Sequence, residues 1–303
     1  LDKIDIETAR LSSEIDLASQ REAVNITFKE GETAETAFVK LANSGVVDLE
    51  TIREFSKNPS NFDRETYPFL PSPLSCTYGD ITGGCALYYS EGYIYPDTYA
   101  FFKDSTPNEV YAKFFNNFRN KVWNQLDTKP AADEFQQAVI MASVIEKETG
   151  RPKAGVNSSN LDEVNQERRT MSGVFYNRID RGMKWQSDVT VEYGQQSVSG
   201  SAPDISIETR RLCQQTLTID NCLFLDSPEV QTGYNTYKNQ GYPVAPVTSP
   251  QFDNIFAALN PTPNDNIFFL SDATGKKYFY SNNASFEAGI VEIQRINRSL
   301  GVE

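Results

Sequence analysis

The sequence predicts an α+β protein in which a small strand–helix–helix–strand module precedes a larger mixed α+β part. Three observations support this class. Apolar residues alternate with polar ones near residue 24, as in a half-buried strand, and then recur at helical spacing. Longer amphipathic patterns begin near residue 107, and strand, turn and proline signals follow. We expect a lead-in at 1–22, the module at 23–105 and the larger part at 106–303.

The small module is predicted from four segments. Residues 24–28 alternate in hydropathy and predict a strand, and the helical pattern that follows ends at Gly45. Asp48 is suited to cap a second helix over residues 49–57. The aromatic stretch 87–95 predicts the returning strand. Pro, Gly and Cys residues predict an insertion over 58–85, ahead of that strand.

The larger part is predicted to begin with an amphipathic helix that Thr106 can cap. Apolar periodicity predicts three more helices behind it. Beyond Asp188 we expect strands and turns before the last two helices. The four predicted helices cover residues 107–123, 131–148, 251–259 and 285–298.

Composition excludes several classes of function. The chain has 303 residues and a formal net charge of −13, so its surface repels phosphate backbones and nucleic acid is not an expected partner. It contains no histidine, which excludes Ser-His-Asp and Cys-His nucleophilic systems and His-ligated zinc. We predict no cofactor and no metal. Acid–base chemistry must therefore use carboxylates, Lys, Tyr or Cys.

The four cysteines fall into two pairs with the same short spacing, Cys76 with Cys85 and Cys213 with Cys222. Each pair lies in a loop-like stretch containing Gly, Asn or Asp. Two local disulfides are the preferred interpretation, and they would imply an oxidising compartment. Four reduced, partly buried thiols are the alternative.

One carboxylate interrupts the apolar face of a predicted helix. In FQQAVIMASVIEKETG, Phe135, Val139 and Ala142 lie on one stripe, and Glu146 continues it. Glu148 lies about 200° further round, so the two carboxylates should not share one small site. We expect only Glu146 to be buried, with a pKa raised enough for proton donation. The alternative is that Glu146 is structural, and that Glu148 belongs to a solvated helix end.

Six segments resemble the YceG/MltG family of endolytic murein transglycosylases, in the family's order and at compatible spacing. They are NITFKEGETAETAFVKLANSGVV, EGYIYPDTYAF, ASVIEKETG, SGVFYNRIDRGMKWQSDVTVEYG, GYNTYKNQGYPVAPVTSP and AALNPTPNDNIFFLSDATGKKYFY, and they extend from about residue 24 to 295. The first segment is similar to the family's N-terminal LysM-like module. The resemblance therefore implies a LysM-like βααβ module followed by a catalytic domain.

The resemblance also implies an activity and a location. The family cleaves the β-1,4 bond between N-acetylmuramic acid and N-acetylglucosamine in peptidoglycan without water, leaves 1,6-anhydro ends, and limits glycan strand length. Its single catalytic glutamate maps onto Glu146. Glycan strands are the implied partner, with membrane peptidoglycan synthases and division proteins as further expectations. The first residue is Leu and no run of about 18 apolar residues occurs. We therefore expect the extracytoplasmic part of a single-pass cell-membrane protein whose N-terminal anchor is missing here.

The family segments suggest supporting residues, whose roles are inferred from their chemistry. Gln186, Ser187 and Asp188 can hold sugar hydroxyls and acetamides, and Asp188 can add negative charge near a cationic transition state. A turn or N-cap role is the alternative for Asp188. The remaining candidates are Tyr234, Asn235, Thr236 and Tyr237 for sugar contacts, and Asn177, Arg178 and Glu148 for orientation. Core packing is the alternative for either tyrosine, and a helix salt bridge for Asn177 and Arg178.

Two departures from the family pattern affect the surroundings of the site. Residues 241–247 read GYPVAPV, which loses a flexible glycine and adds an aromatic ring. The Cys-containing insertions at 58–85 and 195–230 are interpreted as pinned loops that rim the cleft or contact partners. The sequence is also compatible with two other functions: a hydrolytic muramidase using Glu146 with Asp188, and a non-catalytic peptidoglycan-binding scaffold.

Overall fold

The computed structural model describes residues 21–149, 161–199 and 232–301. The N-terminal part pairs two strands in an antiparallel sheet, with Val24 opposite Phe101 and Ile26 opposite Tyr99. Two helices lie between these strands in the chain. The elements are β1 (Ala23–Thr27), α1 (Ala34–Asn43), α2 (Leu49–Lys57), a 3-10 turn (Pro59–Asn61) and β2 (Thr98–Phe102). The strand–helix–helix–strand order is confirmed, whereas kinship with LysM stays a prediction.

The larger part is mainly helical, with one hairpin near its end. Its first helix is capped by Thr106, as the sequence predicts, and Glu109 completes a reciprocal capping box. The elements are α3 (Pro107–Lys121), a 3-10 turn (Trp123–Gln125), α4 (Ala132–Thr149), α5 (Leu161–Asp180), α6 (Asp188–Ser199), α7 (Phe252–Leu259), β3 (Phe268–Ser271), β4 (Lys277–Tyr280) and α8 (Asn283–Ser299). Helices and small antiparallel sheets together confirm the α+β class.

The core is rich in aromatic rings and continues across residue 105. Phe114, Phe115 and Phe118 on α3 are fully buried and reach rings from the sheet and from the 58–85 insertion. Further along, α4 packs on both α5 and α7. The boundary between a module and a catalytic domain therefore stays a prediction, because one apolar cluster contains residues from both sides of it.

The predicted strand over 87–95 is wrong. These residues form turns, and the returning strand is β2 at 98–102. Gly92 has φ +92°, and a Cβ there would lie 2.7 Å from Pro246. Only glycine fits both the conformation and the close approach, so the chain bends instead of extending. All residues from 88 to 94 are buried, so the segment is covered on every side and does not have the single buried face of a half-buried strand.

The strands and turns expected directly after Asp188 are also wrong, because that segment is helix α6. Val189, Val191 and Tyr193 alternate as in a strand, which explains the error. Tertiary packing decides the matter: Thr190, Tyr193 and Gly194 are buried at helical spacing. A Cβ on Gly194 would lie 2.5 Å from Thr232 Oγ1, so this turn of the helix tolerates little more than glycine.

The predicted disulfide between Cys76 and Cys85 is present, with an S–S distance of 2.03 Å. It closes a short loop within the insertion. Gly84, next to Cys85, packs its carbonyl against Gly233, so the insertion contacts the segment that leads into YNTY. The predicted Cys213–Cys222 bond and most of the 195–230 insertion lie outside the described residues. None of the described helices combines the length and apolarity needed to cross a bilayer.

Candidate active site

The two carboxylates at the end of α4 reach different neighbours. Glu146 accepts a hydrogen bond from the backbone N–H of Gln251 at 3.0 Å and another from the Asn254 amide, at the start of α7. Glu148 accepts one from the Ser187 hydroxyl, with 2.7 Å between Oγ and Oε1. The prediction that they would not share one small site is therefore confirmed. A carboxylate beside a helix N-terminus is stabilised by the N–H groups there, which gives Glu146 a structural partner.

Both carboxyls are largely withdrawn from solvent. Burial raises the pKa of Glu146, against the opposing hydrogen bonds from Gln251 and Asn254. Burial also raises the pKa of Glu148, against the Ser187 hydrogen bond and the charge of Lys277. The prediction that only Glu146 would be buried is wrong. The last turn of α4 is covered on opposite sides, by α7 on one and by the segment entering α6 on the other.

The Trp185–Asp188 segment brings the Ser187 hydroxyl to Glu148. Gln186 is exposed and adopts φ +52°, while its N–H donates to the carbonyl of Thr236 at 3.2 Å. Ser187 is 3% exposed, and its N–H donates to Thr236 Oγ1 at 3.1 Å. Two backbone N–H groups thus donate to Thr236, one to its carbonyl and one to its hydroxyl, and these bonds hold the strained turn. The turn aims the Ser187 side chain at the carboxyl of Glu148.

The YNTY segment, residues 234–237, supports this turn through hydrogen bonds. Asn235 is fully buried, and its Oδ1 accepts the N–H groups of Tyr237 and Lys238 at 3.0 and 3.2 Å, which fixes a tight turn. Thr236 is 1% exposed, and its hydroxyl lies 2.8 Å from that of Thr190 on α6. Asn235 and Thr236 therefore support the site, and their side chains are not presented to solvent.

The two tyrosines of YNTY differ in exposure. Tyr234 has no exposed surface, and its ring packs 4.7 Å from that of Tyr193. It belongs to the core, in agreement with the packing alternative, because a buried ring cannot stack on a sugar. Tyr237 donates its hydroxyl to Asp188 Oδ1 at 2.6 Å. Glu148, Ser187 and Thr236, which are joined by hydrogen bonds, are called the Glu148 cluster below. Asp188 is exposed at the first position of α6, so an accessible carboxylate lies beside this cluster.

Asn177 and Arg178 hold backbone carbonyls. The Asn177 amide donates to the carbonyls of Asn264 and Asn266 at 2.9 and 2.8 Å. Arg178 is 7% exposed and donates to the carbonyls of Ile267 and Trp185. These bonds tie α5 to the segment that leads into β3 and, through Trp185, to the turn that carries Ser187. Arg178 also interacts electrostatically with Glu148. An orienting role for Asn177 or Arg178 stays a prediction.

Comparison with known proteins shows the family of this chain. The sequence model of the YceG-like family matches residues 6–292 of the 303. The chain belongs to the YceG-like family. A YceG-like protein of Listeria monocytogenes has the same fold, with a TM-score of 0.59 at 19% identity, covering 93% of this chain and 80% of that one.

Curated relatives of this YceG-like chain carry the name endolytic murein transglycosylase. One from Streptococcus pneumoniae is 28% identical over 264 residues, which are 84% of this chain and 38% of the relative. One from Bacillus subtilis is 30% identical over 191 residues, which are 62% of this chain and 44% of the relative. The chain thus spans less than half the length of these relatives.

The sequence patterns did not point to several ionisable residues that are buried in the described part of this YceG-like chain, among them Lys277 and Glu91. Lys277 on β4 is 7% exposed and donates to the backbone carbonyl of Glu148 at 2.5 Å. Glu91 is 1% exposed and accepts hydrogen bonds from the Ala34 N–H and the Tyr193 hydroxyl. Strand alternation places Lys277 on the same face as the apolar Phe279, which is the one signal that the sequence offered for it.

A polar pocket of about 370 Å³ lies where α6 meets the N-terminal helices. Arg53, Tyr88 and Gln196 are among the side chains that line it. Gln196 follows Asp188 by eight residues on α6, which corresponds to about 12 Å along the helix. The pocket therefore lies on the same helix as the exposed carboxylate of the Glu148 cluster, about two turns away.

Proposed function

We propose that this chain is an endolytic peptidoglycan transglycosylase that cleaves the β-1,4 bond between N-acetylmuramic acid and N-acetylglucosamine. Its membership of the YceG-like family and the names of its relatives support the reaction class. The product is a 1,6-anhydro end, and cutting within strands limits the length of nascent glycan. The substrate is neutral in its sugar backbone, so the net charge of −13 does not oppose binding.

We propose Glu148, in place of Glu146, as the acid and base of this reaction. The hydrogen bond from Ser187 to Glu148 is the main observation that favours Glu148 over Glu146, because it joins the EKET segment to the WQSD segment. Through Asp188 and Tyr237 the same cluster includes YNTY. Three of the family segments thus converge on Glu148. Glu146 instead accepts hydrogen bonds at the start of α7.

The chemistry needs one carboxyl in two protonation states. Burial raises the pKa of Glu148, which keeps it protonated at a higher pH than an exposed glutamate. The acid protonates the glycosidic oxygen as the C1–O bond breaks. The resulting carboxylate then takes the proton of the muramic acid 6-hydroxyl while that oxygen bonds to C1. Because the nucleophile is intramolecular, no second carboxylate has to activate water.

Asp188 has a separate electrostatic role in this proposal. Its carboxylate is exposed beside the cluster and is held by the Tyr237 hydroxyl. Negative charge near C1 favours the oxocarbenium-like transition state over the neutral substrate. Gln186 is the other exposed polar side chain of the turn and can hydrogen-bond sugar hydroxyls or acetamides.

The test compares Glu148→Gln with Glu146→Gln on purified peptidoglycan, with mass analysis of the products. Both substitutions keep side-chain volume and a hydrogen-bond acceptor, and each protein should show a cooperative thermal transition. We expect Glu148→Gln to lose at least about a thousandfold in rate, as expected when the only acid and base is removed. Glu146→Gln should retain cleavage. The reverse result would return the catalytic role to Glu146.

Product masses separate this reaction from its rivals. Anhydro ends are lighter than reducing ends by one water, so their presence supports transglycosylation. Reducing ends alone would indicate a hydrolytic muramidase. Binding to glycan strands without any cleavage by the wild-type protein would indicate a non-catalytic scaffold.

We also propose an extracytoplasmic location on the cell membrane, held there by an N-terminal anchor. The Cys76–Cys85 disulfide supports it, since such bonds persist in oxidising compartments. Membrane peptidoglycan synthases and division proteins are the proposed partners, because they make and organise the strands that the enzyme would cut. Crosslinking in cells with the full-length protein tests this association.

A further inference from the structure

Lys277 is a buried ammonium group within the site. It lies on β4 opposite Ser271 on β3, and 7% of the residue is exposed. Lysine is almost never fully buried unless it is paired. Its Nζ donates to the backbone carbonyl of Glu148 and to Ser271 Oγ, both at 2.5 Å. These bonds account for the burial and tie the hairpin to the end of α4.

The carbonyl that Lys277 holds belongs to the last turn of α4. Carbonyls in the last turn of a helix have no intrahelical partner, and they carry the negative end of the helix dipole. A cation at this point satisfies the carbonyl and interacts favourably with the dipole. The residue whose carbonyl it holds is Glu148, so Lys277 restrains the backbone from which the proposed acid projects.

Charged groups face this pair from several elements. Asp188 and Glu192 on α6 raise the pKa of Glu148, whereas Lys277 lowers it. Arg178 on α5 is a second cation facing Glu148, and the Tyr237 hydroxyl also interacts electrostatically with Glu148. Burial lowers the pKa of Lys277, and the carboxyls of Glu148, Glu167 and Asp272 oppose this by favouring the ammonium form. Lys277 is the cation in contact with the backbone of Glu148.

We propose that Lys277 is a positioning residue that fixes Glu148 through its backbone carbonyl and stabilises the carboxylate left when Glu148 gives its proton to the glycosidic oxygen. This inference rests on the proposed function. Lys277 exchanges no proton with substrate: the proton moves from Glu148 to the leaving oxygen and returns from the 6-hydroxyl. The ammonium charge acts on the intermediate state between these two transfers.

The test uses three substitutions at Lys277 and one at its neighbour. Lys277→Met removes both charge and hydrogen bonds, Lys277→Gln keeps a donor without charge, and Lys277→Arg keeps the charge. Lys276→Met is the matched control, because Lys276 is 53% exposed and pairs with Glu163 on the surface. The rate of release of anhydro ends from soluble uncrosslinked glycan strands is measured at saturating substrate across pH.

We expect the rate to fall above the pKa of Glu148, since a general acid must be protonated. Without the nearby positive charge that pKa rises, so Lys277→Met and Lys277→Gln should move the alkaline limb upward by about one pH unit. They should also lower the maximum rate by up to about tenfold. Lys277→Arg should return the alkaline limb of the pH–rate profile to its wild-type position. Lys276→Met should change neither the alkaline limb nor the maximum rate.

Distinct results overturn the inference and the proposed function. An unmoved alkaline limb in folded Lys277→Gln would overturn the role of Lys277, even if Glu148→Gln abolishes cleavage. If Glu148→Gln cleaves normally, the proposed acid is wrong whatever Lys277 does. Failure of both Lys277→Met and Lys277→Gln to fold would assign the lysine to the fold alone and would also overturn the inference.

Discussion

Ionisation of Glu91 should make the stability of this protein fall as pH rises towards neutrality. The residue is 1% exposed where α1, the 87–95 segment and α6 meet. Its carboxyl accepts the Ala34 N–H at 3.1 Å and the Tyr193 hydroxyl at 2.8 Å. Burial raises the pKa of Glu91 from 4.5 to about 7, despite these hydrogen bonds and the charge of Lys147.

The size of the effect follows from that pKa. One pH unit corresponds to about 1.4 kcal/mol, so a rise of about 2.5 units costs about 3 kcal/mol when the buried carboxyl is ionised. Between pH 4.5 and 7 the folded protein binds more protons than the unfolded chain, and the free energy of unfolding therefore falls as pH increases. The stabilising contribution of the neutral form is complete below pH 4.5 and is lost as pH passes 7.

Glu91→Gln isolates this contribution because it is nearly isosteric and cannot ionise. At pH 5 the variant should be slightly less stable than wild type, by about 1 kcal/mol, since an amide matches the two donors less well. At pH 8 it should be more stable by about 2 kcal/mol, because wild type then bears the cost of ionisation. Thermal or urea unfolding of both proteins at several pH values measures the difference.

The pH trend of that difference decides the outcome. Glu54→Gln is the control, because it makes the same substitution at an exposed carboxylate, which pairs with Lys57 on the surface of one helix. A difference between Glu91→Gln and wild type that stays constant from pH 5 to pH 8 would show that Glu91 titrates normally and refute the reasoning.

Three further predictions concern the site and its supports. Ser187→Ala removes the 2.7 Å hydrogen bond that favours the carboxylate of Glu148, so pH–rate profiles should show the alkaline limb raised by about one pH unit. Cys76→Ser opens the disulfide loop and should lower the free energy of unfolding by about 2–3 kcal/mol in urea melts. Gly92→Ala places a methyl group 2.7 Å from Pro246 at φ +92° and should cost about 3 kcal/mol or more in the same melts.

Matched controls accompany these variants. Gly31→Ala has a similar positive φ of 73° but no atom within 4 Å, so it measures backbone strain without the clash. Ser197→Ala removes a hydroxyl that donates to the Tyr193 carbonyl within α6, and should leave the pH profile unchanged. Wild-type protein treated with reductant should reproduce the loss in Cys76→Ser. An unshifted alkaline limb in Ser187→Ala would contradict the effect assigned to its hydrogen bond with Glu148. Equal losses of unfolding free energy in Gly92→Ala and Gly31→Ala would contradict the clash with Pro246.

Local signals predicted the regular elements well where one strong cue dominated. Asp48 and Thr106 cap the helices that the sequence assigns to them. The two errors lie where local propensity and packing disagree. Residues 87–95 carry strand-forming aromatics but bend at Gly92, and residues 188–199 alternate like a strand but form α6. In both segments the deciding contacts come from residues more than 35 positions away in the chain, at Val139 or Pro246 for Gly92 and at Thr232 for Gly194.

The sequence by itself determined the α+β class, the family, one disulfide, and the divergence of two carboxylates on α4. The class and the angle between the carboxylates depend on periodicity and capping, and the disulfide on close spacing, all of which act within a few residues. The family was inferred from the resemblance of six ordered segments. Tertiary structure decided which carboxylate meets the other family segments. A helix pattern states the angle between Glu146 and Glu148, but not which neighbour covers each side. Ser187 and the start of α7 come from distant parts of the chain, and only their packing sends Glu148 to the candidate site and Glu146 to a helix N-terminus.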